Sequence, residues 1–489
     1  MKVLIVSSEI VPFAKTGGLA DVAGALSKAL KEMGHDVRLL TPRYKKTDKK
    51  KFHLKELLSG IEVKMGGKTE KVDILESRIP GTKVPAYFVE HEGYFGSRDE
   101  LYTVAGKDYE DNLERFSLFC LAAIEMMKKL DWQPDVIHCN DWQSALICAY
   151  LKVTLKKDQF FSRTATVYSI HNMGYQGTFP KEKLPLTGLG WDTFSTDGLE
   201  FYGNIALTKA GFVYADVINT VSETYAKEIQ TPEFGHGLEG LMKHRNKDLY
   251  GIVNGIDYDL WDPATDKMIT ANYDTVSIGI KSDNKAALQK EQKLPEKNNV
   301  PMIGIISRLA DQKGFDILAE AIEKIMHLRC QMVILGTGEP KYHDLFKKMR
   351  EMYPEHIAIN LGFDATLAQM IYAGSDMFLM PSRYEPCGLG QLISFKYGTI
   401  PIVRLTGGLA DTVKEFDAKS GKGDGFTFRD YSAEALISAI KKAIETFASQ
   451  NTWRKLQVKV MRYDYSWGSS AKKYIDLYRT ALVKSGKKQ

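Results

Sequence analysis

The sequence predicts an α/β protein of two Rossmann-like, doubly wound domains with parallel sheets. Three observations lead there. Short β-branched runs alternate with amphipathic helical segments through most of the chain. The alternation stops at a turn-rich stretch, residues 254–263, and restarts with the apolar run 302–306. The length, 489 residues, exceeds what one hydrophobic core supports and suits two or three domains.

In the first series, residues 3–6 form a strand. The next segment, 19–33, carries Val22, Leu26, Leu30 and Met33 at helical spacing, and Gly34 is placed to cap it. Further strands are expected at 37–40, 86–89, 136–138, 166–170 and 217–221. The second series has strands at 302–306, 332–335, 358–361, 377–380 and 400–403. A last helix, 469–482, has Tyr474, Leu477 and Tyr478 on one face and is expected to return as a strap to the first domain. The domains therefore read as 1–253, a hinge or crossover at 254–263, a second domain 264–465, and a returning segment 466–489.

Composition narrows the function. Lys and Arg number 66 against 61 Asp and Glu, a net charge of +5, too weak for a nucleic-acid or membrane-surface protein. Lys49-Lys50-Lys51 and Lys487-Lys488 read as solvated runs. Five cysteines, at 120, 139, 148, 330 and 387, form no CxxC pair, which argues against a disulfide framework or structural zinc and for a reducing cytoplasm. The N-terminal apolar run is followed directly by Glu9, unlike a signal peptide. No apolar stretch approaches the ~18–20 residues that span a membrane.

Ligands of open α/β sheets sit beyond the carboxyl ends of strands, and several loops there are chemically loaded. Lys15-Thr16-Gly17-Gly18 offers a cation, a backbone open to close approach, and a helix start that suits an anion. Arg308 and Lys313, five residues apart after a strand, suit a diphosphate, or are two solvated cations. Glu385, fixed by Pro386 and followed by Cys387, Gly388, Leu389 and Gly390 at a helix start, could hold sugar hydroxyls, or could serve the helix dipole. His138 and Asp141 with Trp142 follow one strand, and His171, Asn172 and Tyr175 follow another. Polar groups mixed with aromatics suit a sugar, though a histidine at a strand end is as readily structural. Gly336-Thr337-Gly338 reads as a turn, and Asp257-Tyr258-Asp259 as turn chemistry, not a metal-binding DxD. Residues 16–21 and 406–411 both spell Thr-Gly-Gly-Leu-Ala-Asp. One reading is two convergent strand-to-helix turns. The other has both diglycines, including Thr406 and Gly407, facing one ligand.

Together these motifs resemble the bacterial glycogen synthase and plant starch synthase family. The segments are residues 15–21, 140–142, 170–172, 175–177, 254–257, 307–309, 312–314, 385–389, 396–398 and 406–411, in family order along nearly the whole chain. The resemblance implies the type B glycosyltransferase fold, with two Rossmann-like domains facing a deep interdomain cleft. It implies retaining transfer of glucose from ADP-glucose to the non-reducing end of glycogen or a linear α-1,4-glucan, with no metal and no cofactor. Lys15, Arg308 and Lys313 would then hold the donor diphosphate. Glu385 and the amides of Cys387, Gly388 and Leu389 would hold the glucose. His171 would present its backbone to the anomeric centre. Glu9, Asp21, Asp141 and Asn172 would line the donor–acceptor junction. Asn254 would sit near glucose at the hinge, and Phe363 after Gly362 would stack on the base.

Three positions depart from the wider pattern. Ile393 stands where many broader relatives carry a second glutamate, which agrees with the glucan-synthase branch. Gly390 replaces a hydroxyl residue, and Phe363 lacks a tyrosine hydroxyl. No residue is an evident nucleophile, so front-face displacement is favoured over double displacement. Alternatives are UDP-glucose or dual donor use, an α-glucan phosphorylase, for which no pyridoxal-phosphate lysine context is seen, and a catalytically silent glucan-binding protein.

Overall fold

The N-terminal apolar run becomes strand β1 (Lys2–Val6), and the amphipathic segment after it becomes helix α1 (Gly18–Glu32). The computed structural model describes residues 1–104 and 106–486, so Lys487 and Lys488 lie outside the described residues. The chain divides into two units: Met1–Val221 with Ala226–Ile252 and the segment from Trp467 onward, and Ser222–Tyr225 with Val253–Ser466.

The first unit is built on a nine-stranded sheet. After β1 come β2 (Asp36–Pro42), β3 (Lys55–Met65), β4 (Lys68–Arg78), β5 (Pro85–Glu90), β6 (Val136–Asn140), β7 (Ala165–Ile170), β8 (Val217–Thr220) and β9 (Leu249–Gly251). The spatial order is β9-β8-β7-β6-β1-β2-β5-β4-β3. Pairings from β9 through β5 are parallel, while β3 and β4 form an antiparallel hairpin at one edge. Every residue of β6 and β7 is buried, as expected for parallel strands covered on both faces. Strand order reverses between β1 and β6, so the loops after them adjoin at a topological switch point.

The hairpin is absent from the strands expected from sequence. Its signal is nevertheless there: Gly66-Gly67 joins two runs, both glycines have positive φ, and Ile61, Val63 and Met65 alternate inward.

The C-terminal helix (Trp467–Lys484) belongs to the first unit's core. Trp467, Ala471, Tyr474, Leu477 and Tyr478 are buried with Val3, Ile5, Leu26, Leu30, Val167 and Val217. Burial of a side chain such as Leu477 contributes about 1.5–3 kcal/mol.

The second unit has a six-stranded parallel sheet. Its strands are β10 (Met302–Ile306), β11 (Gln331–Gly336), β12 (Ile357–Leu361), β13 (Met377–Met380), β14 (Ile400–Arg404) and β15 (Phe426–Phe428), in the order β12-β11-β10-β13-β14-β15. Here order reverses between β10 and β13. The loops after them carry Arg308 with Lys313, and Glu385. Helix α2 (Phe315–Met326) follows the first loop and α3 (Gly390–Lys396) the second. The stretch 254–263 packs within this unit. The Tyr258 hydroxyl donates to the Tyr463 carbonyl at 3.2 Å, and Tyr465 N donates to that hydroxyl at 2.8 Å. Asp257 accepts from Asp259 N at 3.0 Å, closing its own turn.

Candidate active site

In the first unit, the switch point gathers Glu9, Lys15, Asp21, Asp141 and His171. Glu9 is buried, and its carboxylate accepts from Thr16 N, the Thr16 hydroxyl, Gly17 N at 3.0 Å and the Tyr102 hydroxyl at 2.8 Å. The amides of Thr16 and Gly17 are therefore already engaged. They are held by the protein's own carboxylate, so Glu9 braces the loop. Nothing in the sequence spacing points to Tyr102. Lys15 pairs with Asp21 at 2.7 Å on the first turn of α1. Burial raises Asp21 above the ordinary aspartate range, with Lys15 opposing.

Asp141 follows β6 in the left-handed region, φ 56°, and its Oδ1 accepts from His171 N at 2.7 Å. The Asp141 carboxyl is pushed up to about 7, chiefly by burial, with the His171 amide opposing and Glu9 adding repulsion. The His171 Nε2 donates to Asn140 Oδ1 at 3.0 Å, and burial lowers its pKa to about 4, so the imidazole is neutral near pH 7. Asn172 Oδ1 accepts from Gly174 N at 2.9 Å, shaping the loop that follows.

His138 resolves as structural. Asn219 Nδ2 donates to Thr220 O at 2.9 Å, which leaves its Oδ1 to accept the Ser169 hydroxyl at 2.8 Å. Ser169 Oγ must then accept from His138 Nε2, at 2.6 Å, and His138 Nδ1 accepts from the Tyr478 hydroxyl at 2.9 Å. The ring ties the C-terminal helix to the sheet, and burial lowers it to about 3.

The expected sugar-stacking aromatics divide. Trp142 is buried against Phe116 and Phe179. Gly177, at φ +61°, lies so close that a Cβ would meet the indole at 2.6 Å. Trp142 and Gly177 therefore set the shape of the loops, while Tyr175 is 54% exposed.

In the second unit, residues far apart in sequence converge. Lys313 Nζ pairs with Glu385 Oε2 at 2.6 Å, and Ser382 Oγ donates to the same oxygen at 2.9 Å. The side chains are only 18% and 9% exposed. Gln312 Nε2 donates to Tyr384 O, and Arg383 N donates to Gln312 O, stitching the two loops together. Gly314, at φ +72°, ends the first loop where a Cβ would meet Pro381 O at 2.0 Å. Arg308 is exposed at the loop's tip. Gly336 and Gly338 prove more than a turn: Cβ atoms there would meet Ser307 O and Leu309 O at 2.1 and 2.2 Å, so they seat the Arg308 loop.

Around Glu385, Cys387 is buried and burial pushes its thiol up to about 12, which fits a packing residue. Its neighbour Asn254 is also buried, and among the described residues its Oδ1 has no hydrogen-bond partner. Gly388 has φ +73°, and Leu389 precedes α3. At Gly390 a Cβ would meet the Phe378 ring at 2.6 Å, so the start of α3 packs closely on β13 here. Gly362 has open space around it, and Phe363 after β12 is 87% exposed.

The two Thr-Gly-Gly-Leu-Ala-Asp segments differ in role. A Cβ on Gly17 or Gly18 would meet nothing within 4 Å, whereas Cβ atoms on Gly407 and Gly408 would meet Glu385 O and Cys387 O at 2.0 Å. Thr406 is buried, and Gly408 N donates to Glu385 O at 3.1 Å. Gly407 and Gly408 thus pack against the backbone of the Glu385 loop, a role that Gly17 and Gly18 do not share. Asp411 in turn accepts from Thr224 N at 2.9 Å. Gly407→Ala, at φ +45°, should cost about 2 kcal/mol or more in thermal unfolding, whereas Gly18→Ala should stay within about 0.5 kcal/mol of the parent.

Two α/β units with largely parallel sheets, whose strand-end loops carry cations, a buried carboxylate and a neutral histidine, fit the class of glycosyltransferases. Comparison with known proteins specifies which. Residues 2–244 match the starch synthase catalytic domain family, and 287–457 match glycosyl transferases group 1. The chain is 49% identical over 492 residues to glycogen synthase of Thermotoga petrophila, covering 100% of both, and 50% identical to that of Desulforudis audaxviator, covering 99% and 97%. The catalytic domain of starch synthase IV from Arabidopsis thaliana, solved bound to ADP and acarbose, superposes with a TM-score of 0.90 at 33% identity, covering 99% of each chain. The chain belongs to the glycogen synthase and starch synthase family, is a glucosyltransferase, and has the type B glycosyltransferase fold. No helix among the described residues is long and apolar enough to cross a membrane.

Proposed function

We propose that this enzyme transfers glucose from ADP-glucose to the non-reducing end of an α-1,4-glucan, with retention, in the cytoplasm. The observation that carries the reading is the Lys313–Glu385 pair beside Arg308 at the β10/β13 switch point. Lys313 and Arg308 stabilise charge growing on the leaving diphosphate. Glu385 accepts from glucose hydroxyls, and Asn254 Oδ1, buried without a partner, is an acceptor in reserve beside it. In the first unit, Asp141 fixes the His171 backbone, and the neutral His171 ring adds no positive charge where the anomeric carbon becomes cationic. The departing phosphate takes the acceptor's proton. The five buried, unpaired cysteines suit a reducing compartment.

ADP as the donor's nucleotide is supported by the Arabidopsis starch synthase solved with ADP. The exposed Phe363 ring offers a base a stacking face, larger for a purine. The kcat/KM ratio for ADP-glucose over UDP-glucose should exceed unity, and Phe363→Ala should lower kcat/KM for both donors. A ratio below unity would overturn the donor assignment and leave glucan synthesis standing.

A further inference from the structure

Helix α4 (Gln450–Met461) buries Trp453, Leu456, Gln457, Val460 and Met461. Its opposite face carries Arg454, Lys455 and Lys459, and Arg462 follows. The helix contains no acidic residue, so nothing on it offsets this charge. Among the described residues, none of the four cations has an ion-pair partner. Asp424, the acid that Lys459 influences, is occupied by Lys414 N at 2.6 Å and the Tyr463 hydroxyl at 3.2 Å.

The four cations lie together. With Thr275, Val276 and Ile278 they line an open cavity of about 490 Å³, the size of a small-molecule site. The facing loop is rigid: Asp274 Oδ1 accepts from Val276 N at 2.9 Å, Ser277 N at 2.8 Å and the Ser277 hydroxyl at 2.7 Å. That carboxylate is spent within its own turn. The loop holds Val276 out at 87% exposure, an apolar wall opposite the charges. Lys459 is pinned by the Gly421 and Gly423 carbonyls at 3.0 and 2.6 Å, so part of the charge is pre-positioned.

We propose that this cavity binds a phosphate monoester of a small polar molecule, at a site separate from the Lys313–Glu385 loops. Arg454 supplies a planar fork and Lys455 a point charge for the phosphate, and Val276 and Val458 lie against the body of the ligand. The buried face of α4 reaches the end of α3: Gln457 Nε2 donates to Gly398 O at 3.0 Å, just beyond α3, whose other end follows Glu385.

The test is calorimetric titration of the full chain with glucose 1-phosphate, inorganic phosphate and glucose, each with ADP saturating so that the donor site is filled. Glucose 1-phosphate should bind saturably at one site per chain, more tightly than inorganic phosphate, and any glucose bound beside ADP at the Glu385 loop should be unchanged in the Arg454→Gln/Lys455→Gln variant. Saturable binding of inorganic phosphate alone would overturn the monoester assignment. The double variant Arg454→Gln/Lys455→Gln, altered only on the solvent face of α4, should weaken binding by about tenfold or more and leave the thermal midpoint unchanged. Non-saturable, salt-screened heats equal for both phosphates would show a solvated basic face and overturn the proposal. Binding undiminished in the double variant would do so as well.

Discussion

Lys313→Ala should lower kcat by about 10²-fold or more, as expected when a donor to developing charge is removed. It should also lower folding stability by about 3 kcal/mol, because Glu385, 9% exposed, is left as a buried carboxylate without its cation. Ser382→Ala removes one hydrogen bond and no charge, so it should cost about 1 kcal/mol and little rate. Arg308→Ala should slow the reaction comparably without the stability loss, since Arg308 is exposed. Steady-state kinetics beside thermal unfolding of the three variants makes the comparison. If Lys313→Ala raised KM alone, the pair would serve ground-state binding.

Asp141→Asn should give an enzyme that is slower and, above neutral pH, more stable. The Asp141 carboxyl sits at about 7 in the fold against 3.8 for an ordinary aspartate. A folded pKa above the unfolded one means that stability is fully present below about pH 4 and lost as pH rises through about 7. Above that, the ionised carboxylate costs on the order of 4 kcal/mol, which the amide relieves while its Oδ1 still accepts from His171 N. In the proposed reaction the same carboxylate faces the positive charge that develops in the transition state. In the parent, kcat/KM should therefore rise with an apparent pKa near 7, and this limb should vanish in Asp141→Asn, with kcat down by about tenfold or more. Melting and rate profiles from pH 5 to about 9 check both halves. An unchanged profile would remove Asp141 from the reaction.

The parallel core is legible in the sequence because its strands are short apolar runs bounded by helical periodicity, as at residues 302–306. The edge hairpin, residues 55–78, is hidden because charged residues fill its outward face, although Gly66-Gly67 marks the turn. The site's residue types are legible and their partners are not. Sequence assigns Lys313 to diphosphate and Glu385 to sugar separately, since strand order, which brings their loops together, is invisible in one chain of letters. Glu9 is expected to face substrate, whereas its oxygens are occupied by the loop it precedes. The repeated Thr-Gly-Gly-Leu-Ala-Asp is ambiguous for a related reason. Glycine serves open approach at Gly18 and dense backbone packing at Gly407, and composition does not separate the two.

Glucan synthesis itself is open to a direct measurement. The enzyme is given ADP-glucose and a short linear α-1,4-glucan, and ADP release is followed together with the length and new linkage of the product. One glucose should be added per ADP released, joined α-1,4 at the non-reducing end. ADP release without chain extension, or a β-linked product, would contradict the proposed reaction.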